Sequence, residues 1–527
     1  MASKGPEITD LTGIMVDANL HVSDYLIILP VLIPMLFSAI LLMMRTRSAF
    51  QGKIAVLGMG LLAIASFGLL QQVLANGPVS MTMGRWVPPF GITFSVDIAG
   101  ALLTFTSALI ALVASIYASS TATKLEMRYG FYPFFMAMMC GVSGAFLTGD
   151  VFNLYVWFEV LLISSFGMIV LGSEKVQLDG TMKYAFLNLV ATTMFLMATG
   201  YLYGITGSLN MADIWVRINS GLVEGPIYTI AVLYFLAFAM KAASFPMNFW
   251  LPASYHTPKF LVSALFAGLL TKVGIYALLR ISVMLFADQR DQIAEGIAWI
   301  AALTMITGVM GALAQNDIRR VFGYLVVSGI GTMLAGIAIA SVTGVSGVLV
   351  YAVHSMIVMT ALYLAAGFIG RMAGTNDLRQ LGGLYAASPM FAAGFLILAL
   401  SVAGLPPTSG FWGKFILVKA SLEIGAWWLA AAILISGLLT SIAVFRVWIF
   451  AFWRGGPEGT RDGAEAWKRP ELDESFRLTA SVSIGLLVVA TLAIGLAPEM
   501  LISISADGAR MLLYPNDYIG SVFGGDL

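Results

Sequence analysis

Apolar runs of roughly 18–25 residues recur along the whole chain, separated by short polar stretches. A helix needs about 20 predominantly apolar residues to cross the hydrocarbon core. The pattern therefore predicts about fourteen transmembrane helices, over 24–44, 54–75, 96–119, 131–148, 151–171, 183–205, 227–251, 260–286, 293–314, 319–341, 345–370, 386–424, 427–453 and 478–499. The twelfth run is too long for one uninterrupted span. It contains Gly404-Leu-Pro-Pro-Thr-Ser-Gly410, where Pro406 and Pro407 must interrupt the backbone ladder. The seventh contains Phe245-Pro246 and runs into Pro252. Both read as broken helices. They lie five helices apart, and an odd offset reverses orientation. Paired discontinuous helices at matching positions mark inverted-topology repeats in transporters. The predicted fold is all-α: a polytopic membrane protein with two inverted five-helix repeats, each containing a broken helix. Its expected segments are a three-helix N-terminal part (1–130), a first repeat of helices 4–8 (131–286), a second of helices 9–13 (287–454), and a cytoplasmic loop, helix 14 and tail (455–527).

Composition agrees with a bilayer setting. The 527 residues are 59% hydrophobic and 11% charged, against roughly 25% charged in soluble domains. Mean hydropathy is +0.90, and lipid-facing helices need no polar face. Basic and acidic residues both number 28, so formal charge is zero and nothing suggests nucleic-acid binding. The single cysteine, Cys140, excludes an intrachain disulfide and a Cys-ligated cluster. His21, His256 and His354 are widely spaced and form no metal-ligand motif. Segment 1–23 is polar and acidic, and the first apolar run is long and followed by Arg45-Thr-Arg47. It reads as a retained helix rather than a cleaved signal. With the N-terminus outside, the cytoplasmic loops carry 17 basic residues and the outer segments 5. Positive charge favours the inside, so both termini are expected outside.

Six basic residues are left once those of the loops, span ends and tails are set aside: Lys241, Lys272, Arg280, Lys414, Lys419 and Arg446. Arg280, Arg446 and Lys419 lie toward helix ends, from which long side chains can snorkel. Lys241, Lys272 and Lys414 fall near mid-depth in the seventh, eighth and twelfth spans, and Glu159 is similarly deep in the fifth. A charge at mid-bilayer costs roughly 2.5–3.5 kcal/mol even on the lenient insertion scale. Such groups call for a proton relay. Desolvation lowers a lysine's proton affinity and a nearby carboxylate raises it, so a lysine whose partner approaches and retreats takes up and releases a proton. Glu159, the only deep carboxylate, pairs with Lys241 on this reading. Unwound backbone at the two breaks is tolerated only where protein or a water cavity satisfies it, and each break adjoins a buried lysine. His354 reads equally as a packing histidine or a relay member. His256 reads as a loop residue, Asp97 and Asp150 as interfacial anchors, and Gly323–Gly336 as a small-residue helix contact.

Several motifs resemble one family, the antiporter-like proton-pumping membrane proteins. Asp150-Val-Phe-Asn-Leu-Tyr-Val-Trp-Phe-Glu159 resembles its fifth-helix motif. Lys241-Ala-Ala-Ser-Phe-Pro246 with Trp250-Leu-Pro252 is similar to its broken seventh helix, and Ala267-Gly-Leu-Leu-Thr-Lys272-Val-Gly-Ile-Tyr276 to its eighth. Asn316-Asp-Ile-Arg-Arg320 resembles the junction of helices 9 and 10, and Gly404 through Lys414 the broken twelfth. The family includes subunits of respiratory complex I, membrane-bound hydrogenases and the Mrp-type multisubunit Na+/H+ antiporter; the details are most similar to the D type of the last. Two departures stand out. Relatives with Leu-Pro-x-Ala-His contrast with Leu251-Pro-Ala-Ser-Tyr255 here, the histidine following at His256, and the tenth span lacks a carboxylate matching Glu159.

The resemblance implies a mechanism. Glu159 with Lys241 would modulate protonation in the first repeat, Lys272 would pass the proton sideways, His354 would bridge, and Lys414 would end the line. Proton influx would drive sodium efflux in an assembly with other subunits of a bacterial cell membrane, with protons, Na+ and the bilayer as partners. The chain would be a transporter component, not an enzyme, with no catalytic residue, metal or cofactor. The alternative it implies is a proton-pumping membrane subunit of complex I or a membrane-bound hydrogenase.

Overall fold

The computed structural model describes residues 22–221, 223–456 and 472–523. His21, Lys4, Arg461, Lys468 and Arg469 fall outside them. Among the described residues eleven helices are long and apolar enough to cross a membrane, and three shorter apolar helices accompany them. In chain order the principal elements begin with α1 (Leu29–Met43), α2 (Ser48–Asn76), β1 (Val79–Thr82), β2 (Thr93–Val96) and α3 (Ile98–Thr121). Next come α4 (Phe131–Leu147), α5 (Val151–Val170), α6 (Lys175–Thr206), α7 (Ile227–Ala242) and α8 (Trp250–Tyr255). The second half holds α9 (Phe260–Leu285), α10 (Ala287–Ala314), α11 (Ile318–Ile339), α12 (Val342–Ala373), α13 (Pro389–Ala403), α14 (Ser409–Glu423) and α15 (Trp427–Trp453). The chain closes with α16 (Glu474–Leu496), α17 (Glu499–Leu513) and α18 (Asn516–Phe523).

Local chemistry sets the helix starts. Asp97, Asp150, Asp317 and Ser341 each accept a hydrogen bond from the first-turn amides of α3, α5, α11 and α12, satisfying donors a helix leaves free. Asp97 and Asp150 are thus buried caps rather than interfacial anchors. Burial then sorts the helices. The apolar stretches of α9 and α12 are wholly buried, whereas α6, α15 and α16 present much of their surface outward. A helix apolar all round belongs in the middle of a bundle. The Gly323–Gly336 stretch packs closely, as its small residues require: a Cβ on Gly331 would lie 2.5 Å from the Met305 nitrogen of α10.

Both broken helices are present. α7 stops at Ala242 and the chain resumes through a short 3-10 turn into α8, with Pro246 and Pro252 in the interruption and its continuation. α13 stops at Ala403 and α14 begins at Ser409. Three features lie beyond the sequence-based expectation. β1 and β2 form an antiparallel hairpin pairing Val79 with Val96 and Thr82 with Thr93; four-residue strands are too short to stand out by pattern. α9 carries two π-helical stretches, Phe266–Leu270 and Leu279–Leu285. The expected tail is two further helices, α17 packing on α3 and α12 and α18 on the hairpin.

Candidate ion-translocation site

The first break is stabilised by groups far away in sequence. Ala243 takes a left-handed conformation (φ 63°) that ends α7. The backbone it leaves unpaired is met from outside the helix: Phe245 N donates to Thr304 Oγ1 (2.9 Å) and Trp250 Nε1 to the Met240 carbonyl (3.1 Å). Lys241, in the last turn, is 5% exposed. Its ammonium donates to Thr192 Oγ1 of α6 at 2.8 Å and lies 4.7 Å from the Phe158 ring centroid. Glu159, the next residue of α5, is half-buried. Among the described residues no ion pair within 4.0 Å joins it to Lys241, yet its charge is within electrostatic reach of the ammonium. A void of about 10 Å³ adjoins Lys241, Asn188 and Leu270, room for roughly one water.

Lys272 sits on α9 just past the first π stretch and is 1% exposed. Its Nζ donates to the Ala267 carbonyl at 2.6 Å, inside that stretch. π-helical turns shift the backbone register and cluster at functional sites; here the shifted turn supplies the lysine's acceptor. Opposite it, Gly268 lies so close to Thr360 of α12 that a Cβ would meet Thr360 Oγ1 at 2.1 Å.

His354 stands on α12 at 1% exposure. Its Nδ1 is 2.8 Å from Ser409 Oγ, at the start of α14, and 3.5 Å from Ser401 Oγ near the end of α13. The two serine hydroxyls are 3.1 Å apart. The imidazole thus bridges both sides of the second break and feels the charges of Lys272 and Lys414. Lys414 is half-buried and donates to the Val402 and Ala403 carbonyls at 3.0 and 2.9 Å. Those carbonyls end α13, where the helix dipole is negative. Gly404 permits the approach: it adopts φ 85°, and a Cβ there would lie 2.6 Å from Lys414 Cδ. Pro406 and Pro407 hold the interruption open, since neither has an amide hydrogen.

Two of the three charged residues expected to snorkel turn inward instead. Arg280 is fully buried, paired with Asp97 at 2.5 Å. Arg446 turns inward to the end of α10, donating to the Leu313 and Gln315 carbonyls and to Asn316 Oδ1 (2.6 Å). Lys419 does reach outward and lies 3.7 Å from Glu423. His256, beyond α8, bonds the Pro252 carbonyl and Arg320. Thr192, Ser401 and Ser409 are the polar contacts that sequence reasoning missed, because hydroxyls are common in apolar helices and their distant partners leave no local signal. Among the described residues no three His, Cys, Asp or Glu side chains gather as a metal site requires.

Comparison with known proteins places this arrangement. A family described as NADH:quinone oxidoreductase/Mrp antiporter, TM, matches residues 148–440, a range that holds Glu159, both breaks and all three lysines. Over 501 residues the chain is 38% identical to the D-type Na(+)/H(+) antiporter subunit of Alkalihalophilus pseudofirmus, covering 94% of this chain and 99% of that protein. The D-type Na(+)/H(+) antiporter subunit of Bacillus subtilis is 37% identical over 497 residues, with the same coverages. A chain of the Mrp complex from Dietzia sp. superimposes with a TM-score of 0.88 at 28% identity, covering 96% of this chain and all of that one. This chain, a polytopic helical protein with two interrupted helices, belongs to the NADH:quinone oxidoreductase/Mrp antiporter transmembrane family.

Proposed function

We propose that the chain is the proton-translocating D-type subunit of a multisubunit Na+/H+ antiporter, and that Glu159, Lys241, Lys272, His354 and Lys414 carry the proton. The observation that supports this most directly is the gradient of burial along the line. Lys241, Lys272 and His354 are closed off at 5%, 1% and 1% exposure, while Glu159 and Lys414 at the two ends are half-buried. A path closed along its middle, with only partial exposure of the residues at its two ends, suits a chain that passes charge sideways to neighbouring subunits. Each lysine has a hydroxyl or carbonyl acceptor, and none of the three is locked to a carboxylate within 4.0 Å among the described residues. An amine so held loses its proton more readily than one in a tight ion pair.

In the proposed cycle, movement of the Glu159 charge relative to Lys241 drives a proton from Lys241 toward Lys272. His354 then passes it toward Lys414, exchanging hydrogen bonds with Ser401 and Ser409. We further propose that the segments around the two breaks, 131–286 and 287–454, are inverted repeats, and that both termini lie on the outer face, the face carrying the β1–β2 hairpin. The chain carries ions and performs no covalent chemistry. Complementation tests the reading. The whole operon, expressed in a sodium-sensitive strain lacking its own antiporters, restores growth in high sodium. Lys241→Ala, Lys272→Ala and Lys414→Ala in assembled complexes do not. Restored growth with all three variants would refute the relay.

A further inference from the structure

A second buried polar cluster stands outside the line from Glu159 to Lys414, on the same helix as Lys272. Lys272, Tyr276 and Arg280 follow at intervals of four along α9, so they share a face, and each is 1% exposed or less. Arg280 Nε donates to the Tyr276 hydroxyl at 2.8 Å, and that hydroxyl donates to the Phe146 carbonyl at 2.7 Å. Arg280 Nη2 pairs with Asp97 Oδ1 at 2.5 Å, both side chains having no exposure. The guanidinium also lies 4.8 Å from the centroid of the Tyr518 ring of α18. Asp97 Oδ1 accepts from the Gly100 amide as well (2.9 Å), but Oδ2 has no hydrogen-bond partner among the described residues. Buried carboxylate oxygens are ordinarily satisfied by protein or water.

Beside this cluster a chain of serine hydroxyls leads to the surface, although the Tyr518 hydroxyl between them has no hydrogen-bond partner among the described residues. The Tyr518 hydroxyl lies beside Ser95, both crowding Gly149. Ser80 Oγ donates to Ser95 Oγ at 2.7 Å and is 2.7 Å from Ser521 Oγ. Ser521 lines a cavity of about 740 Å³ between the end of α2 and α18. A buried ion pair adds little to helix packing that apolar side chains of the same volume would not. Its place between a buried lysine and a hydroxyl chain needs another explanation.

We propose that Asp97 and Arg280 form a gate through which protons pass between Lys272 and the outer face. The proposal rests on the proton-carrying reading of Lys272 given above. In the transfer step the Lys272 ammonium gives up one proton and becomes the neutral amine, and the Asp97 carboxylate takes it up and becomes the neutral acid. Arg280 then stands uncompensated in a buried site, which disfavours that state. The proton leaves through the Ser95, Ser80 and Ser521 hydroxyls to water in the cavity, and Asp97 returns to the carboxylate and to its pair. Tyr276 and Tyr518 are positioning residues. Tyr276 holds the guanidinium by its hydrogen bond, and Tyr518 covers it on the side of the cavity.

The complete antiporter complex in everted membrane vesicles provides the test, with the full set of subunits checked for every variant. Asp97→Asn is expected to cut sodium-driven dissipation of a pH gradient by about tenfold or more, since a buried Arg left without its partner resets the local energetics. A chemical readout accompanies it. Thr104→Cys, two turns inward of Asp97 on α3, in a Cys140→Ser background, is labelled from the outer face with a membrane-impermeant thiol reagent. Labelling is expected to be slow with the pair intact and about tenfold faster in Asp97→Asn, because a reagent coming from the cavity must pass the pair to reach it. Should Lys272→Ala itself leave exchange intact, the proton reading fails and the gate with it. Loss of exchange in Lys272→Ala, with wild-type exchange and unchanged labelling in assembled Asp97→Asn complexes, overturns the gate alone. If Asp97→Asn prevents assembly, the double variant Asp97→Asn/Arg280→Met removes both charges while keeping volume. Exchange at the wild-type rate in that variant overturns the gate, and assembly without exchange supports it.

Discussion

The two broken helices offer the same device in different chemistry. At the first, Lys241 sits before the break, on the last turn of α7, and its ammonium reaches across to a hydroxyl of α6 with the Glu159 charge nearby. At the second, Lys414 sits after the break, on α14, and reaches back to two carbonyls that end α13. The tenth span has no counterpart of Glu159. The negative end of a helix takes that place, equivalent to roughly half an elementary charge. The first lysine therefore answers to a carboxylate that can move or change its protonation, and the second to a fixed dipole. This division makes the first half the adjustable member of the pair and the second half the constant one.

The strongest way to break the comparison is to remove the amines. Lys241→Ala and Lys414→Ala are each expected to reduce Na+/H+ exchange in vesicles to background, since the ionisable groups left behind, Glu159 at the first site and His354 at the second, are not amines and cannot take the lysine's place. Retention of exchange by either variant would mean that one half is dispensable. The next effect isolates what is particular to the first half. Glu159→Gln keeps shape and removes charge, and is expected to slow exchange by about tenfold, the equivalent of ~1.4 kcal/mol of lost differential interaction. Its effect is expected to vary with external pH, because the variant lacks the charge that tunes Lys241. A Glu159→Gln protein with the wild-type pH profile would show that the carboxylate does not set the first half apart.

Most of this contrast is readable from the chain, for identifiable reasons. The spans follow from runs of about 20 apolar residues, and the breaks from prolines that cannot occupy a helix interior. The depth of the lysines follows from their distance to the ends of their spans. Contacts between helices are another matter. Thr192 meets Lys241 across 49 residues and Ser409 meets His354 across 55, and a threonine or serine in an apolar helix bears no mark of its partner. Arg280 departs from its expected placement because a position near a helix end permits snorkelling, whereas Asp97, far away in sequence, draws it inward. The hairpin and α18 escape the pattern because their elements are too short to be periodic.

The second half can be probed through its backbone. Gly404→Ala places a Cβ at φ 85° and 2.6 Å from Lys414 Cδ. The left-handed conformation alone costs about 1–2 kcal/mol for a residue with a Cβ, and the ammonium must shift from the α13 carbonyls. Exchange is expected to fall several-fold, with a lower thermal midpoint for the complex. Equal stability and rate would show that the dipole is not what holds Lys414. In the first half the matching change is milder. Thr192→Val keeps volume and removes the acceptor of Lys241, an effect of about 1–3 kcal/mol for a buried partner left unsatisfied. Water in the adjoining void can replace part of that bond, so a loss of only a few-fold is expected.

The smallest predicted effect lies just outside the spans and is read through pH. His256 follows α8, next to the first break. Its Nδ1 is 2.9 Å from the Pro252 carbonyl, and Arg320 Nη2 is 3.1 Å from its Nε2. A guanidinium can only donate, so Nε2 accepts and the ring is neutral, with its proton on Nδ1. Burial pushes its proton affinity below the ordinary histidine value of 6.5; the Pro252 contact opposes this, and the charges of Arg320 and Arg319 add to it. The unfolded chain therefore binds more protons at this residue than the folded one as pH falls below about 6.5, and stability drops with falling pH in that window. His256→Gln keeps hydrogen-bonding capacity but cannot be charged. Its thermal midpoint is expected to change less between pH 7.5 and 5.5 than that of the wild type, by at most about 2 °C, as a small free-energy term in a large protein allows. Identical pH slopes in the variant and wild type would mean that His256 does not titrate against Arg320.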